Sequence, residues 1–224
     1  MMRAVFYSGG QTPKNHQIHE ALVALFPRKK RLSMTYIPVW KDGSKVFFAR
    51  ARRRYERFGV TNFRCLPIDA PFSAREMEHA LKSDMVYLAG GNTYYYLYHL
   101  KKAGLLGKLR KYSRNGGVLA GLSAGGLIMT PHLGLASYPK FERDENLTPL
   151  KDFEPALNLV KFEFFPHYHN SKKLVDSLKK YSKSSQYPLL AVPDGGGIIL
   201  DNEKTTYFGE VSMFHKGKLL PLST

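Results

Sequence analysis

A serine between two glycines is the residue whose surroundings most clearly predict chemistry. Residues 121–125 read G-x-S-x-G, with Ser123 at the centre. The preceding GGVLAG is typical of a buried central strand, and the glycines permit a tight turn that lifts the serine hydroxyl above the sheet at the start of a helix. The pattern predicts that Ser123 is a nucleophile. The alternative is a plain turn in which Ser123 only caps the helix.

A serine hydroxyl is a weak nucleophile at neutral pH, so it needs a base, and the base needs an acid to orient it. The candidate bases are His167 and His169, which follow the predicted strand KFEFF, with an ordinary loop histidine as the favoured interpretation of His169. The candidate acids lie in FERDEN, within a predicted loop over residues 131–155. They are Glu142, Asp144 and Glu145, of which at least two would be ordinary solvated charges.

Short β-rich runs alternate with helical stretches and would position these residues. The predicted strands are RAVFYSG, RLSMTYIPV, NFRCLPI, DMVYLAGG, GGVLAGLS, KFEFFPH and LLAVPD, and a β-rich tail covers residues 197–222. The predicted helices cover residues 15–26, 44–58, 73–83, 94–105, 106–114 and 171–182, with a short helix after Ser123. This alternation predicts an α/β fold, a three-layer αβα sandwich with a mostly parallel, doubly wound sheet. Without repeats or a linker, residues 1–224 are expected to form a single domain.

Four motifs stand in a fixed order along the chain. They are AGGNT at residues 89–93, GLSAGG at 121–126, FFPHYHN at 164–170 and VPDGGG at 192–197. Together they resemble peptidase family S51, the family of dipeptidase E and cyanophycinase, which has the class I glutamine amidotransferase-like fold. The resemblance runs from about Met85 to the C-terminus, and the N-terminal half matches in layout more than in residues. Glutamine amidotransferases of this fold carry a cysteine where Ser123 stands, which argues against that activity.

The resemblance implies roles for several residues. It places the base at His167, directly after the proline, and one oxyanion donor at Gly91. The amide of Ala124, directly after the nucleophile, is expected to be the second donor. Matching the family backwards from His167 reaches Glu145 without a gap and Asp144 with one. Asp144 is the preferred acid and Glu145 the alternative.

The substrate-binding residues are expected at two places. Asn92 and Thr93 follow the glycine turn and are predicted to bind substrate, with helix capping as the alternative. Dipeptidase E holds an N-terminal aspartate with an arginine after the catalytic histidine, where this chain reads HNSKKLVDSLKK. Lys172 or Lys173 could supply a point charge but not the bidentate fork of arginine, and both also fit a helix surface. The resemblance therefore predicts peptide or amide cleavage without establishing aspartyl specificity.

The composition limits the other classes of function. The chain has 34 basic and 18 acidic residues and a net charge of +16, which could attract anionic partners. However, no nucleic-acid-binding motif accompanies the charge, and the arginines of residues 50–57 lie among Phe47, Ala51 and Phe58 at helical spacing, so they are expected on a solvated face. No apolar run approaches the roughly 20 residues of a membrane span. The N-terminus resembles a strand, not a signal peptide, which predicts a soluble, cytoplasmic protein.

The sequence thus predicts a serine hydrolase that cleaves a small peptide or amide bond through an acyl-enzyme on Ser123. Neither a metal nor an organic cofactor is expected, and Cys65, the only cysteine, cannot form an intramolecular disulfide. The expected partner is a small peptide or amide substrate, without membrane or nucleic acid, and the expected state is a monomer or homodimer. The alternative is a non-catalytic protein of the same fold that binds a small ligand or nucleic acid.

Overall fold

A computed structural model describes residues 2–9, 13–27, 31–39, 41–142 and 144–222 of the chain. Its strands are β1 (Arg3–Tyr7), β2 (Leu32–Ile37), β3 (Val60–Cys65), β4 (Met85–Leu88), β5 (Val118–Leu122), β6 (Glu163–Phe165), β7 (Leu189–Ala191), β8 (Gly197–Asp201), β9 (Lys204–Phe208), β10 (Val211–His215) and β11 (Lys218–Leu222). Among these described strands, seven form a main sheet in the order β3-β2-β4-β5-β1-β8-β9. Adjacent strands from β3 to β1 are parallel, whereas β8 and β9 are antiparallel additions. The main sheet is therefore mostly parallel, as predicted.

Helices cover both faces of the main sheet. They are α1 (His16–Ala24), α2 (Lys41–Glu56), α3 (Ala74–Ala80), α4 (Thr93–Lys102), α5 (Leu105–Arg114), α6 (Ala124–Met129) and α7 (Lys172–Ser184). Ala4 and Phe6 of β1 pack in one core with residues of α3 to α6, whereas Val5 and Tyr7 pack in another with residues of α1 and α2. Because alternate side chains of a strand point to opposite faces, the sheet lies between two helical layers. The predicted αβα sandwich is confirmed.

The strands predicted at KFEFFPH and LLAVPD belong to a second sheet, whose order is β11-β10-β7-β6. β6 and β7 are adjacent and parallel, with Phe165 opposite Ala191. α7 packs on this sheet through Leu174 and Leu178, which share a core with Leu189. The tail, predicted only as β-rich, supplies β8 and β9 to the main sheet and β10 and β11 to the second. Because β6 and β7 are parallel, the segments that follow them emerge at the same edge.

β5 lies between β4 and β1 in the middle of the main sheet. Val118, Leu119 and Ala120 are fully buried, which confirms the buried strand predicted before Ser123. On α2, the arginines at positions 50, 52 and 53 are exposed, as predicted. Phe47 departs from the prediction because it is 43% exposed. The next residue, Phe48, packs against the core in its place.

A buried polar network lies beneath β1. The Tyr7 hydroxyl is 3.1 Å from His19 Nδ1 and accepts a 3.0 Å hydrogen bond from the Tyr55 hydroxyl. His19 Nδ1 is also 3.1 Å from the Tyr55 hydroxyl. Burial, together with the positive charges of Arg54 and His16, lowers the pKa of His19 from 6.5 to about 3. The network therefore keeps the His19 imidazole neutral. It lies against Tyr7 at the end of β1, the strand next to β5.

The His19 network predicts a loss of stability in acid. The folded-state pKa of His19 is depressed, so between about pH 6.5 and pH 3 the unfolded chain binds a proton that the folded chain does not. The contribution of the neutral His19 to the free energy of unfolding is present above that window. It falls as the pH falls through the window, by up to about 1.4 kcal/mol per pH unit. Urea unfolding from pH 7 to pH 4 should show a smaller decline for His19→Gln than for the wild type. Parallel declines would mean that His19 does not contribute.

Candidate active site

Ser123 lies at the turn between β5 and α6. Its backbone has φ 50° and ψ −109°, a conformation that is uncommon for a residue with a side chain. The Ser123 amide donates a 2.9 Å hydrogen bond to the Tyr7 carbonyl at the end of β1. A Cβ at Gly121 would lie 2.5 Å from the Gly125 carbonyl carbon, so the turn closes too tightly there for a side chain. These features form the strained strand-to-helix turn expected of a G-x-S-x-G motif.

The Ser123 side chain contacts His167, which follows β6. Ser123 Oγ lies 2.9 Å from His167 Nε2. The His167 backbone also has a positive φ of 57°, and its amide donates a 2.7 Å hydrogen bond to Ser8 Oγ. The buried Ser8 hydroxyl donates in turn to the Val192 carbonyl at 2.7 Å. Ser8, directly after β1, thus ties together the segments that follow β6 and β7.

The other ring nitrogen of His167 contacts Asp194, in the VPDGGG segment after β7. His167 Nδ1 lies 2.7 Å from Asp194 Oδ1, and the two side chains are 50% and 54% exposed. The motif did not predict Asp194 as the partner of His167. The available signal was its position, because Asp194 follows a strand in the same way that His167 follows β6. The parallel pairing of β6 with β7 brings the two residues together.

The two acids predicted to orient His167 make hydrogen bonds elsewhere in the structure, Asp144 through its carboxylate and Glu145 through its main chain. Asp144 Oδ2 accepts a 2.8 Å hydrogen bond from the Thr93 amide. The Glu145 carbonyl accepts a 2.7 Å hydrogen bond from Asn92 Nδ2. Because both ring nitrogens of His167 already have hydrogen-bond partners, neither predicted acid takes the orienting position. The loop that carries them instead contacts the start of α4.

The glycine turn after β4 lies beside the nucleophile. A Cβ at Gly90 would lie 3.6 Å from the Leu122 carbonyl, directly before Ser123. Gly91 has a φ of 145°, a conformation that side chains rarely adopt. Ala124, predicted as the other oxyanion donor, begins α6 and is buried. The structure therefore places the glycine turn beside the residue that precedes Ser123, while Ala124 follows Ser123 directly.

Asn92 fits the capping alternative better than the prediction of substrate binding, and Thr93 is a buried first residue of α4. Asn92 Oδ1 accepts a 2.9 Å hydrogen bond from the Tyr95 amide and thereby caps α4, while Asn92 Nδ2 is taken by Glu145. Thr93 is only 1% exposed. Neither side chain is therefore free to face a substrate in this conformation.

Other candidate residues lie around the site or away from it. His169 Nε2 is 2.7 Å from Glu142 Oε1, so this histidine is part of the loop structure. Lys173 Nζ lies 4.0 Å from the centre of the Phe141 ring. The adjacent Lys172 is exposed on α7, as the helix-surface alternative predicts. Burial raises the pKa of the half-buried Cys65 thiol on β3 to about 11, which makes it a poor nucleophile.

The described residues hold neither a metal site nor a membrane-spanning helix. In that part of the chain, no group of three or more His, Cys, Asp or Glu side chains could hold a metal ion. Nor does any of the described helices have both the length and the apolar character needed to cross a membrane. Independently of these findings, the structure shows a hydrogen-bonded chain from Ser123 through His167 to Asp194. Such a chain can move a proton from a hydroxyl to an imidazole while a carboxylate stabilises the imidazolium.

The fold and this site define an α/β protein of the class I glutamine amidotransferase-like fold with a serine at the strand-to-helix turn. The model of peptidase family S51 matches residues 4–208. The chain belongs to peptidase family S51 and is a peptidase. The family resemblance inferred from the four sequence motifs is confirmed.

Individual relatives agree with this assignment. The chain is 30% identical to an uncharacterized peptidase of Pasteurella multocida over 193 residues. The matched region covers 83% of this chain and 87% of that protein. It is 26% identical over 146 residues to peptidase E of Streptomyces coelicolor, covering 61% of this chain and 57% of that protein. Both relatives are named as peptidases.

Two solved structures share the fold. A protein described as a peptidase E from Listeria monocytogenes EGD-e has a TM-score of 0.68 at 24% identity, covering 92% of this chain and 98% of that one. A peptidase from an acI-B1 actinobacterium has a TM-score of 0.75 at 16% identity, covering 100% of this chain and 94% of that one. At these identities, the likeness establishes the architecture and not the substrate.

Proposed function

We propose that this peptidase is a serine hydrolase in which Ser123 is the nucleophile, His167 the base and Asp194 the orienting acid. The observation that carries the proposal is the continuous series of contacts from Ser123 Oγ to His167 Nε2 and from His167 Nδ1 to Asp194 Oδ1. It begins at a serine whose backbone is strained at a strand-to-helix turn. In this proposal Asp194 replaces Asp144 and Glu145 in the role that the sequence suggested for them.

The geometry supports a two-step mechanism. In the required tautomer, His167 Nδ1–H donates to Asp194 and Nε2 accepts the Ser123 proton as Oγ attacks the substrate carbonyl. The resulting oxyanion is stabilised by the amides of Ala124 and Gly91. His167 then protonates the leaving amine as the bond to carbon breaks, which leaves an acyl-enzyme on Ser123. Water, deprotonated by His167, attacks the acyl group, and His167 returns the proton to Ser123 Oγ as the acyl bond breaks and the acid product leaves.

The substrate that we propose is a small peptide or amide. Peptidase is the activity named for the relatives, and the half-exposed His167 and Asp194 side chains lie open to a substrate from solvent. An N-terminal aspartate is not part of the proposal, since the segment after His167 offers Lys172 and Lys173 but no arginine. Lys173 is moreover stacked on the Phe141 ring.

The proposal is tested with a panel of dipeptides that vary in the N-terminal residue, extended with simple amino-acid amides. Products are separated and identified by mass spectrometry for the wild type and for Ser123→Ala, which serves as the control for contaminating peptidases. We expect the wild type to hydrolyse a subset of the panel and Ser123→Ala to hydrolyse none of it. Equal hydrolysis by both proteins would contradict the proposal.

A further inference from the structure

The loop that carries Asp144 and Glu145, the acids predicted from the sequence, contacts the segments on both sides of the site. On one side, Glu142 Oε1 lies 2.7 Å from His169 Nε2, two residues after His167. Here the loop segment formed by residues 136–142 and 144–145 is called the bridging loop. Its two ends are joined by a 2.8 Å hydrogen bond from the Asp144 amide to the Ala136 carbonyl. The hydrogen bond between Asp144 and Ala136 thus joins the two described parts of the loop that contacts the His167 turn.

On the other side, the bridging loop holds the start of α4. Asp144 Oδ2 accepts from the Thr93 amide at 2.8 Å, and the Glu145 carbonyl accepts from Asn92 Nδ2 at 2.7 Å. Asn92 and Thr93 come directly after Gly91, which the proposed mechanism uses as an oxyanion donor. The Asp144 carboxylate also lies at the positive end of the α4 dipole, where a negative charge is favourable.

We propose that Asp144 and Glu142 are positioning residues, through which the bridging loop sets the distance between the oxyanion turn and the His167 turn. This inference rests on the proposed function, because positioning by Asp144 and Glu142 matters only if Ser123 is the nucleophile. Asp144 acts on Gly91 through the Thr93 amide, and Glu142 acts on His167 through His169. Neither carboxylate exchanges a proton with the substrate.

The size of the effect follows from geometry. An oxyanion donor contributes only when it lies about 2.7–3.1 Å from the developing charge, and losing one costs on the order of 10²–10³ in rate. A loosened turn displaces the donor without removing it, so we expect a loss of about tenfold for Asp144→Ala. Asparagine at position 144 keeps an oxygen that can accept from the Thr93 amide, so Asp144→Asn should label within about twofold of the wild type.

The test is the second-order rate at which a fluorophosphonate probe labels Ser123, measured as a function of pH. Asp152→Ala is the matched control, because Asp152 lies in the same predicted loop and accepts from the Tyr94 hydroxyl on α4 at 3.2 Å, whereas Asp144 accepts from the Thr93 amide beside the turn. We expect Asp152→Ala to label at the wild-type rate. The pH profile of Asp144→Ala should keep the wild-type midpoint, because the base and its acid are unchanged.

Three results overturn the inference while leaving the proposed function intact. They are wild-type labelling by Asp144→Ala, equal losses in Asp144→Asn and Asp144→Ala, and a shifted pH midpoint in either variant. Equal losses would mean that the charge of Asp144, and not its hydrogen bond to the Thr93 amide, matters, and a shifted midpoint would mean that Asp144 acts on the pH dependence and not on the position of Gly91. A wild type that is never labelled would remove the proposed function itself and, with it, this inference.

A second set of variants tests the other side of the loop and does not depend on the folding of Asp144→Ala. Glu142→Ala and His169→Ala each break the same contact. Each substitution should lower the labelling rate by about threefold. The double variant should lower it no further than each single one, because the effects of substituting two residues in contact do not add. Additive losses, or none, would contradict the role of Glu142.

Discussion

Asp194→Asn is expected to lower the acylation rate of Ser123 by three to four orders of magnitude. Asparagine keeps the size of the side chain, but its amide can donate to His167 Nδ1 and so favour the tautomer in which Nε2 carries the proton. That tautomer cannot accept the Ser123 proton, and the neutral amide no longer stabilises the imidazolium; the same change in the serine-protease triad costs about 10⁴. The rate is measured by fluorophosphonate labelling near pH 7.5, with circular dichroism to verify folding.

The matched control for Asp194→Asn is Asp144→Asn. Each variant removes one negative charge from a candidate for the orienting acid. Asp194 is a candidate because it contacts His167, and Asp144 because sequence matching places it there. We expect a large loss for the first and at most about a twofold loss for the second. The reverse order would restore Asp144 as the acid and would mean that the Asp194 contact is not the functional one.

Gly9→Ala is expected to abolish most activity while leaving the fold intact. A Cβ at Gly9 would lie 2.6 Å from His167 Nδ1 and 2.7 Å from Asp194 Oδ1, inside the contact distance of either atom. The half-exposed His167 and Asp194 side chains can swing away into solvent, so the cost in stability is small. A displacement of about 1 Å can lower the rate on the order of 10²-fold. Labelling rate and thermal unfolding are measured together.

Gly107→Ala is the control for the glycine substitution. Gly107 lies in α5 and is exposed, and a Cβ there would meet nothing within 4 Å. The change should stabilise the protein by roughly 0.5–1 kcal/mol through helix propensity and leave the labelling rate unchanged. If Gly9→Ala labelled as fast as Gly107→Ala, the His167–Asp194 contact would not be required for acylation.

The sequence was sufficient for the elements that depend on local pattern. The alternation of apolar runs predicted the strands and helices, and the glycines around Ser123 predicted a turn that the positive φ now confirms. The local pattern could not predict the order of the strands in the two sheets. It depends on which edges the β-rich tail covers, and the tail is divided between both sheets.

The contact between His167 and Asp194 was not predicted for the same reason. Asp144 and Asp194 are both near His167 in the chain, and local pattern cannot decide which carboxylate faces an imidazole nitrogen. The choice is made by the pairing of β6 with β7, a contact between segments that are separated by a helix. Ser8 and Gly9 were also missed, because their effect on His167 comes through the end of β1 and not through any motif that they carry.

The most direct measurement of the central claim is the intact mass of the protein after exposure to a fluorophosphonate, followed by peptide mapping. The account predicts one adduct on the folded wild type, located on Ser123, and none on Ser123→Ala under the same conditions. An unmodified wild type, or an adduct that persists in Ser123→Ala, would contradict the assignment of Ser123 as the nucleophile.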